Sequence, residues 1–165
     1  MGLIGLLGGG IVPHNNNIAS PGGTHRLPYG TRAIDSSGGI WQYCIQNTTA
    51  AVAGDVVTIV SNSASAWIST GGLLTTAQGC AFGVLGASAN TTTQDVWVGI
   101  AGPQTVHGDS SAFTAPGVSL FLSTAVGGAV SISTVGSRLD MFLMSTGTSS
   151  MLSVYIVSNR IPSPA

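Results

Sequence analysis

The chain has 165 residues, and only 5% of them are charged, against roughly 25% in an average soluble domain. Lysine and glutamate are absent, and four arginines and five aspartates give a formal net charge of −1. With no basic stripe to neutralise phosphates, we expect no nucleic-acid partner. The apolar residues 1–12 are too few to cross a bilayer, and we expect no membrane partner.

The same composition predicts an all-β protein. The solvent-exposed side of a surface helix usually consists of Lys, Glu, Gln and Arg, and these residues are scarce here. Ser, Thr, Gly, Val and Ala fill the sequence instead, and these residues suit strands and tight turns. A chain with so little charge has weak self-repulsion, which favours association with copies or partners.

Residues 1–39 are interpreted as an extended N-terminal arm. Pro13, Pro21 and Pro28 disfavour both helix and central strand in this part of the chain. A leader without a role is one interpretation, but linkers seldom carry so much apolar surface. We therefore expect a docking arm that contacts a partner through Leu3, Ile4, Leu6, Leu7, Ile11, Arg26, Tyr29 and Arg32.

Residues 40–165 are expected to form one β-domain. Short apolar segments alternate with turn clusters rich in Gly, Ser, Thr and Asn. About nine short strands at this spacing indicate a small antiparallel barrel or a sandwich. The predicted strands are 40–46, 55–61, 66–69, 81–87, 95–102, 118–124, 129–134, 140–146 and 152–158.

The faces of three strands differ in character. The segment IWQYCIQ (40–46) places Trp41 and Tyr43 opposite Gln42, which predicts a half-buried strand. The segments DVWVGI and DMFLMST are apolar on both faces. Such strands are either covered on both sides within one subunit or exposed at a subunit interface. The candidate interface residues are Trp97, Phe142 and Met144.

The order of turns and strands over residues 50–158 resembles a known family. It runs through AGDVVTIV, FGVLGASANTTTQDVWVGIAGPQTV, APGVSLFLSTAVGGAVSIST and SRLDMFLMSTGTSSMLSVYIV. This order is similar to the small β-barrel domain, often called a β-tulip, of tailed-phage capsid decoration (cement) proteins. The N-terminal arm lies outside the resemblance.

The resemblance implies a structural role. Proteins of this family bind the outer surface of an assembled capsid as homotrimers, with the major capsid protein as their partner. The implied location is the virion, after synthesis in the host cytoplasm. The alternative is a head-fibre or tail-tip module that uses the same barrel to recognise a host glycan or protein.

We do not expect an enzyme. His107, Asp109 and Ser110 are neighbours in the segment HGDSS, but residues so close on one strand or turn point apart rather than converge as a triad. No spacing of His, Cys or Asp indicates a metal site, and no cofactor is expected. Cys44 and Cys80 are expected to be buried free thiols, with a single bridge as the alternative.

Overall fold

The computed structural model describes residues 27–46, 51–61, 63–66, 81–88, 95–109, 113–136, 138–145 and 150–160. Every regular element in these ranges is a β-strand, which confirms the all-β prediction. The strands are β1 (Arg32–Ile34), β2 (Ile40–Gln46), β3 (Val56–Val60), β4 (Ser63–Ala66), β5 (Ala81–Leu85), β6 (Asp95–His107), β7 (Ser119–Leu122), β8 (Val130–Ser131), β9 (Arg138–Leu143) and β10 (Met151–Ile156).

Five strands close a small barrel. They follow the order β2, β4, β3, β5 and β6, and β6 pairs back onto β2. The β2–β4 pair is parallel, so the barrel is not antiparallel throughout. Closure gives each of these strands two neighbours, which suits a chain with few charges to protect exposed strand edges.

Strand β6 joins the barrel to a second layer. Residues 95–101 pair with β2 and β5, and residues 102–107 pair with β10. Gly102 lies at the junction with a φ of +76°, and a Cβ there would lie 2.7 Å from the carbonyl oxygen of Gly38. Only glycine fits this bend. The predicted strand ended at residue 102, whereas Gly102 bends the strand without ending it.

The second layer is the sheet β6, β10, β9, β7 and β8, in that order. Along β10, buried and exposed residues alternate strictly, so this sheet has an inner and an outer face. The inner face packs against the barrel strands β3 and β5 and forms the larger core. The side chains of this core are Val56, Phe82, Val84, Val106, Phe113, Leu120, Leu122, Val130, Leu139, Met141, Leu143, Leu152, Val154 and Ile156.

Strand β2 is buried on both faces, which corrects the expectation of a half-buried strand. Gln42 and Cys44 are both buried, and Cys44 belongs to the core inside the barrel. Trp41 and Tyr43 are buried on the opposite side, in a separate cluster with Trp97. The alternation of the two faces was predicted correctly, but the face that carries Gln42 is covered because the barrel closes, and the Gln42 amide donates to the Cys44 sulfur there.

The thiol of Cys44 is free and fully buried, as expected for a structural cysteine. Burial raises the pKa of this thiol to about 11, although the Gln42 amide, which donates to its sulfur at 3.8 Å, acts in the opposite direction. The thiolate is the reactive form, so burial and protonation together protect Cys44.

We expect Cys44 in the folded protein to resist an aromatic disulfide reagent at pH 8 and to react fully once guanidinium unfolds the chain. A Cys80→Ser variant makes Cys44 the only thiol, so that absorbance alone follows the reaction. Rapid modification of the folded variant would show that the barrel interior opens to solvent.

Candidate interaction surface

Residues 27–34, here called the strap, lie across the outside of the barrel. Leu27 and Tyr29 pack against the cluster of Ala33, Trp41, Tyr43 and Trp97. Strand β1 of the strap pairs antiparallel with β2. The Gly30 N–H donates to the carbonyl of Tyr43, and the Tyr43 N–H donates to the carbonyl of Thr31, each at 2.8 Å. The part of the predicted arm from residue 27 onward is therefore joined to the barrel.

A buried carboxylate fastens the strap. Asp95 is buried at the start of β6 and accepts hydrogen bonds from the hydroxyls of Tyr29, at 2.8 Å, and Tyr43, at 2.7 Å. The rings of these tyrosines stack with centroids 5.7 Å apart. Burial raises the pKa of Tyr29 to about 12, and the hydrogen bond and charge of Asp95 act in the same direction. Tyr29 is thus a protonated donor at physiological pH.

We expect Asp95→Ala to lower the free energy of unfolding by about 3 kcal/mol, because two tyrosine hydroxyls would lose their acceptor. Urea denaturation followed by tryptophan fluorescence measures the loss. Asp95→Asn keeps an acceptor oxygen and is expected to lose clearly less. Equal stability of Asp95→Ala and the unaltered chain would mean that Asp95 does not fasten the strap.

The outer face of the second layer carries an exposed apolar patch. Phe142 on β9 lies directly opposite Tyr155 on β10, and their rings stack with centroids 5.5 Å apart. Tyr155 is 39% exposed, Met144 42% and Val157 57%, while Phe142 is half-buried. We call the patch formed by Phe142, Met144, Tyr155 and Val157 the aromatic face.

The aromatic face has little charge around it. Arg138 and Asp140 precede Phe142 on the same side of β9 and carry opposite charges. The Arg138 guanidinium lies 3.5 Å from the hydroxyl of Ser119, within reach of a weak hydrogen bond. An exposed aromatic patch with a small, balanced charge at its border is typical of protein–protein contact surfaces.

The histidine of the HGDSS segment has a partner that the sequence did not reveal. The Nδ1 of His107 lies 2.8 Å from Oδ1 of Asp55, which is 52 residues away. Asp109 accepts a hydrogen bond from the Ser123 hydroxyl at 3.0 Å. Ser110 lies outside the described residues.

Across the described ranges, no three side chains of the metal-binding types come together. In the same ranges, no helix is long and apolar enough to cross a membrane.

Comparison with known proteins bears on the fold. No protein-family model matches the sequence, and no curated protein matches it. The fold is similar to that of a chain from the capsid of Myoviridae phage XM1. The two chains are 17% identical, the TM-score is 0.55, and the match covers 90% of this chain and 99% of that chain. The likeness is therefore one of fold over almost the whole of both chains.

The structure separates the candidate interface residues. Phe142 and Met144 lie together on the aromatic face, and Tyr155, which sequence reasoning missed, completes it. Trp97 is only 3% exposed and lies under the strap, so residues of the same chain cover it. Among the arm residues, Tyr29 binds the chain's own Asp95 and Arg32 is exposed on β1. The other arm residues, Leu3, Ile4, Leu6, Leu7, Ile11 and Arg26, lie outside the described ranges.

Proposed function

We propose that this chain is a structural virion protein that decorates an assembled phage capsid as a homotrimer and stabilises its outer surface. The observation that carries the proposal is the likeness of fold to a chain from a phage capsid, which extends over almost all of both chains. The resemblance of turns and strands to capsid decoration proteins supports the same role. The major capsid protein is the proposed partner.

The aromatic face is the proposed contact between copies. Its exposed aromatic and aliphatic side chains would leave water on association, at about 25 cal/mol per Å² of apolar area. A ring of three copies needs one patch on each copy to contact a second patch on the next. The opposite charges of Arg138 and Asp140 at the border then suit pairing across the seam.

The N-terminal arm is the proposed contact with the shell. The segment of residues 1–12 is too short to form a hydrophobic core of its own. Its large apolar residues are Leu3, Ile4, Leu6, Leu7 and Ile11. An extended segment of this kind gains most when its main chain adds a strand to a partner's sheet while its side chains fill pockets. Arg26 and Arg32 are the proposed partners of carboxylates on the shell.

Reconstitution on shells that lack this protein tests the proposal. Purified chain is added to such capsids, and cryo-electron microscopy should show saturable density in groups of three on the outer surface. The shells should also withstand heating better once decorated. Shells that stay bare while the protein binds host cells or the tail tip would overturn the proposal in favour of a receptor-binding module.

A further inference from the structure

A pocket lies where β6 leaves the barrel and joins β10. Its volume is about 490 Å³, within the range of small-molecule sites. The pocket is lined by polar side chains from three places in the sequence, together with a tryptophan ring and with small and apolar residues. The polar and aromatic lining residues are Asp35, Ser37, Trp41, Gln104, Thr105 and Ser153.

Gln104 lines this pocket and carries a buried acceptor without a partner. The residue is only 5% exposed, and its Nε2 donates a long hydrogen bond of 3.3 Å to the carbonyl of Ala101. Its Oε1 is buried without a hydrogen-bond partner. The Ala101 carbonyl can only accept, so it fixes which end of the amide is the oxygen. The oxygen lies beside the Cα of Gly99. Buried acceptors without a donor are rare and costly, so a ligand hydroxyl that reached this oxygen would supply its missing donor.

Asp35 supplies a second acceptor. Its Oδ1 accepts from the N–H and hydroxyl of Ser37 and from the N–H of Gly39, whereas Oδ2 accepts only from the Trp41 indole, at 2.8 Å. A carboxylate oxygen has room for about two donors, so Oδ2 retains capacity for one more. Burial alone would raise the pKa of Asp35, but these hydrogen bonds outweigh it and hold the pKa below its usual value. The group is therefore ionised at neutral pH.

We propose that this pocket binds a neutral hexose, whose hydroxyls donate to Gln104 and Asp35 and to the hydroxyl oxygens of Ser37 and Ser153. The hydroxyls of Ser37 and Ser153 already donate to Asp35 and to the sulfur of Met144, so they act as acceptors, whereas Thr105 can donate or accept. The lining side chains that the structure describes include a carboxylate and no cation, which disfavours phosphates, sulfates and acidic sugars. A peptide that binds by adding a strand would need a free strand edge, but β6 and β10 are paired with each other here. The proposal is independent of capsid attachment.

The indole of Trp41 offers a direct reporter. The Trp41 side chain is only 7% exposed, and its N–H donates a hydrogen bond to Asp35. The indole therefore presents its edge to the pocket and offers no ring face on which a sugar could stack. Without stacking, the expected affinity is in the millimolar range. We expect methyl glucoside, methyl mannoside or methyl galactoside to shift the Trp41 indole resonance of the full ¹⁵N-labelled chain in a saturable way. Glycerol at matched concentration should not do so.

Two variants and one control test the site. Gln104→Met removes the acceptor at similar volume and should weaken hexoside binding about tenfold or more. We expect little change in Tm, because loss of the unpaired buried oxygen offsets loss of the long hydrogen bond to Ala101. Ser153→Trp should fill the pocket from its exposed rim, whereas Ser133→Trp, in the exposed turn after β8, should bind normally. If the full chain is retained on mannan or dextran, the natural ligand is a hexose of a surface polysaccharide. If the chain responds only to the free hexosides, the natural ligand is a soluble sugar.

The proposal fails if no hexoside produces a saturable shift, or if Gln104→Met and Ser153→Trp bind as the unaltered chain does. Ser153 contacts Met144 of the aromatic face, so only Gln104→Met can separate the two roles. If Gln104→Met instead loses attachment to shells while remaining trimeric, and no hexoside responds, the pocket belongs to a protein partner. That outcome would overturn the hexose assignment while leaving the capsid role in place.

Discussion

Phe142→Asp is expected to separate the proposed trimer into monomers while each copy stays folded. Phe142 is half-buried and stacks on an exposed tyrosine, so its loss should cost the single chain only about 1 kcal/mol. At a contact between copies, a buried charge has no partner, and losing an aromatic anchor costs about 2 kcal/mol or more. The dissociation constant should therefore rise at least about thirtyfold. Native mass spectrometry at micromolar concentration measures the change.

The neighbouring position gives a matched control. Leu143 follows Phe142 on β9 but points into the core and is fully buried. Leu143→Asp should therefore unfold the chain, and circular dichroism would separate this from dissociation. Ser133→Asp adds the same charge at an exposed site away from the aromatic face and should stay trimeric. A Phe142→Asp variant that remains trimeric would exclude the aromatic face as the contact between copies.

The strands could be predicted from sequence because their signals are local. Alternation and flanking turns predicted a strand over 152–158, and the structure has Met151–Ile156. Strand β1 was missed because its three residues, RAI, carry no periodic signal. Its stability comes from pairing with β2 and from the burial of Ala33 beside Trp41 and Trp97. These are tertiary contacts, which a short window of sequence does not contain.

The surface was predictable only in part for the same reason. The apolar pattern on both faces of a strand identified Phe142 as a surface residue, but it led to the same interpretation for Trp97. The pattern shows that a face is apolar and does not show whether the same chain or another chain covers it. The strap covers Trp97 and leaves Phe142 open. The hydrogen bond from Tyr29 to Asp95 joins residues 66 apart, and the contact between His107 and Asp55 joins residues 52 apart. No local motif encodes either pair.

Deletion of residues 1–12 is expected to lower shell occupancy sharply and to leave Tm within a few degrees. The deletion ends well before Leu27, where the described contacts of the strap begin, so the Asp95 hydrogen bonds and the β1–β2 pairing remain. The deleted residues include Leu3, Ile4, Leu6, Leu7 and Ile11. Each apolar side chain of this kind contributes about 1.5–3 kcal/mol when fully buried against a partner, before the cost of ordering the segment.

A trimer would bind the shell through three arms at once. Deleting the arms should therefore lower the occupancy of shells more than the loss of a single contact would. We expect half-occupancy of shells to require about tenfold more protein or higher still. A full-length variant with serine at Leu3, Ile4, Leu6, Leu7 and Ile11 separates apolar contact from chain length, and it should behave like the deletion. Calorimetry and cryo-electron microscopy on the same samples measure Tm and occupancy. If the truncated protein decorates shells as fully as the intact one, attachment must come from the barrel and the second layer, and the apolar start is a leader without a part in binding.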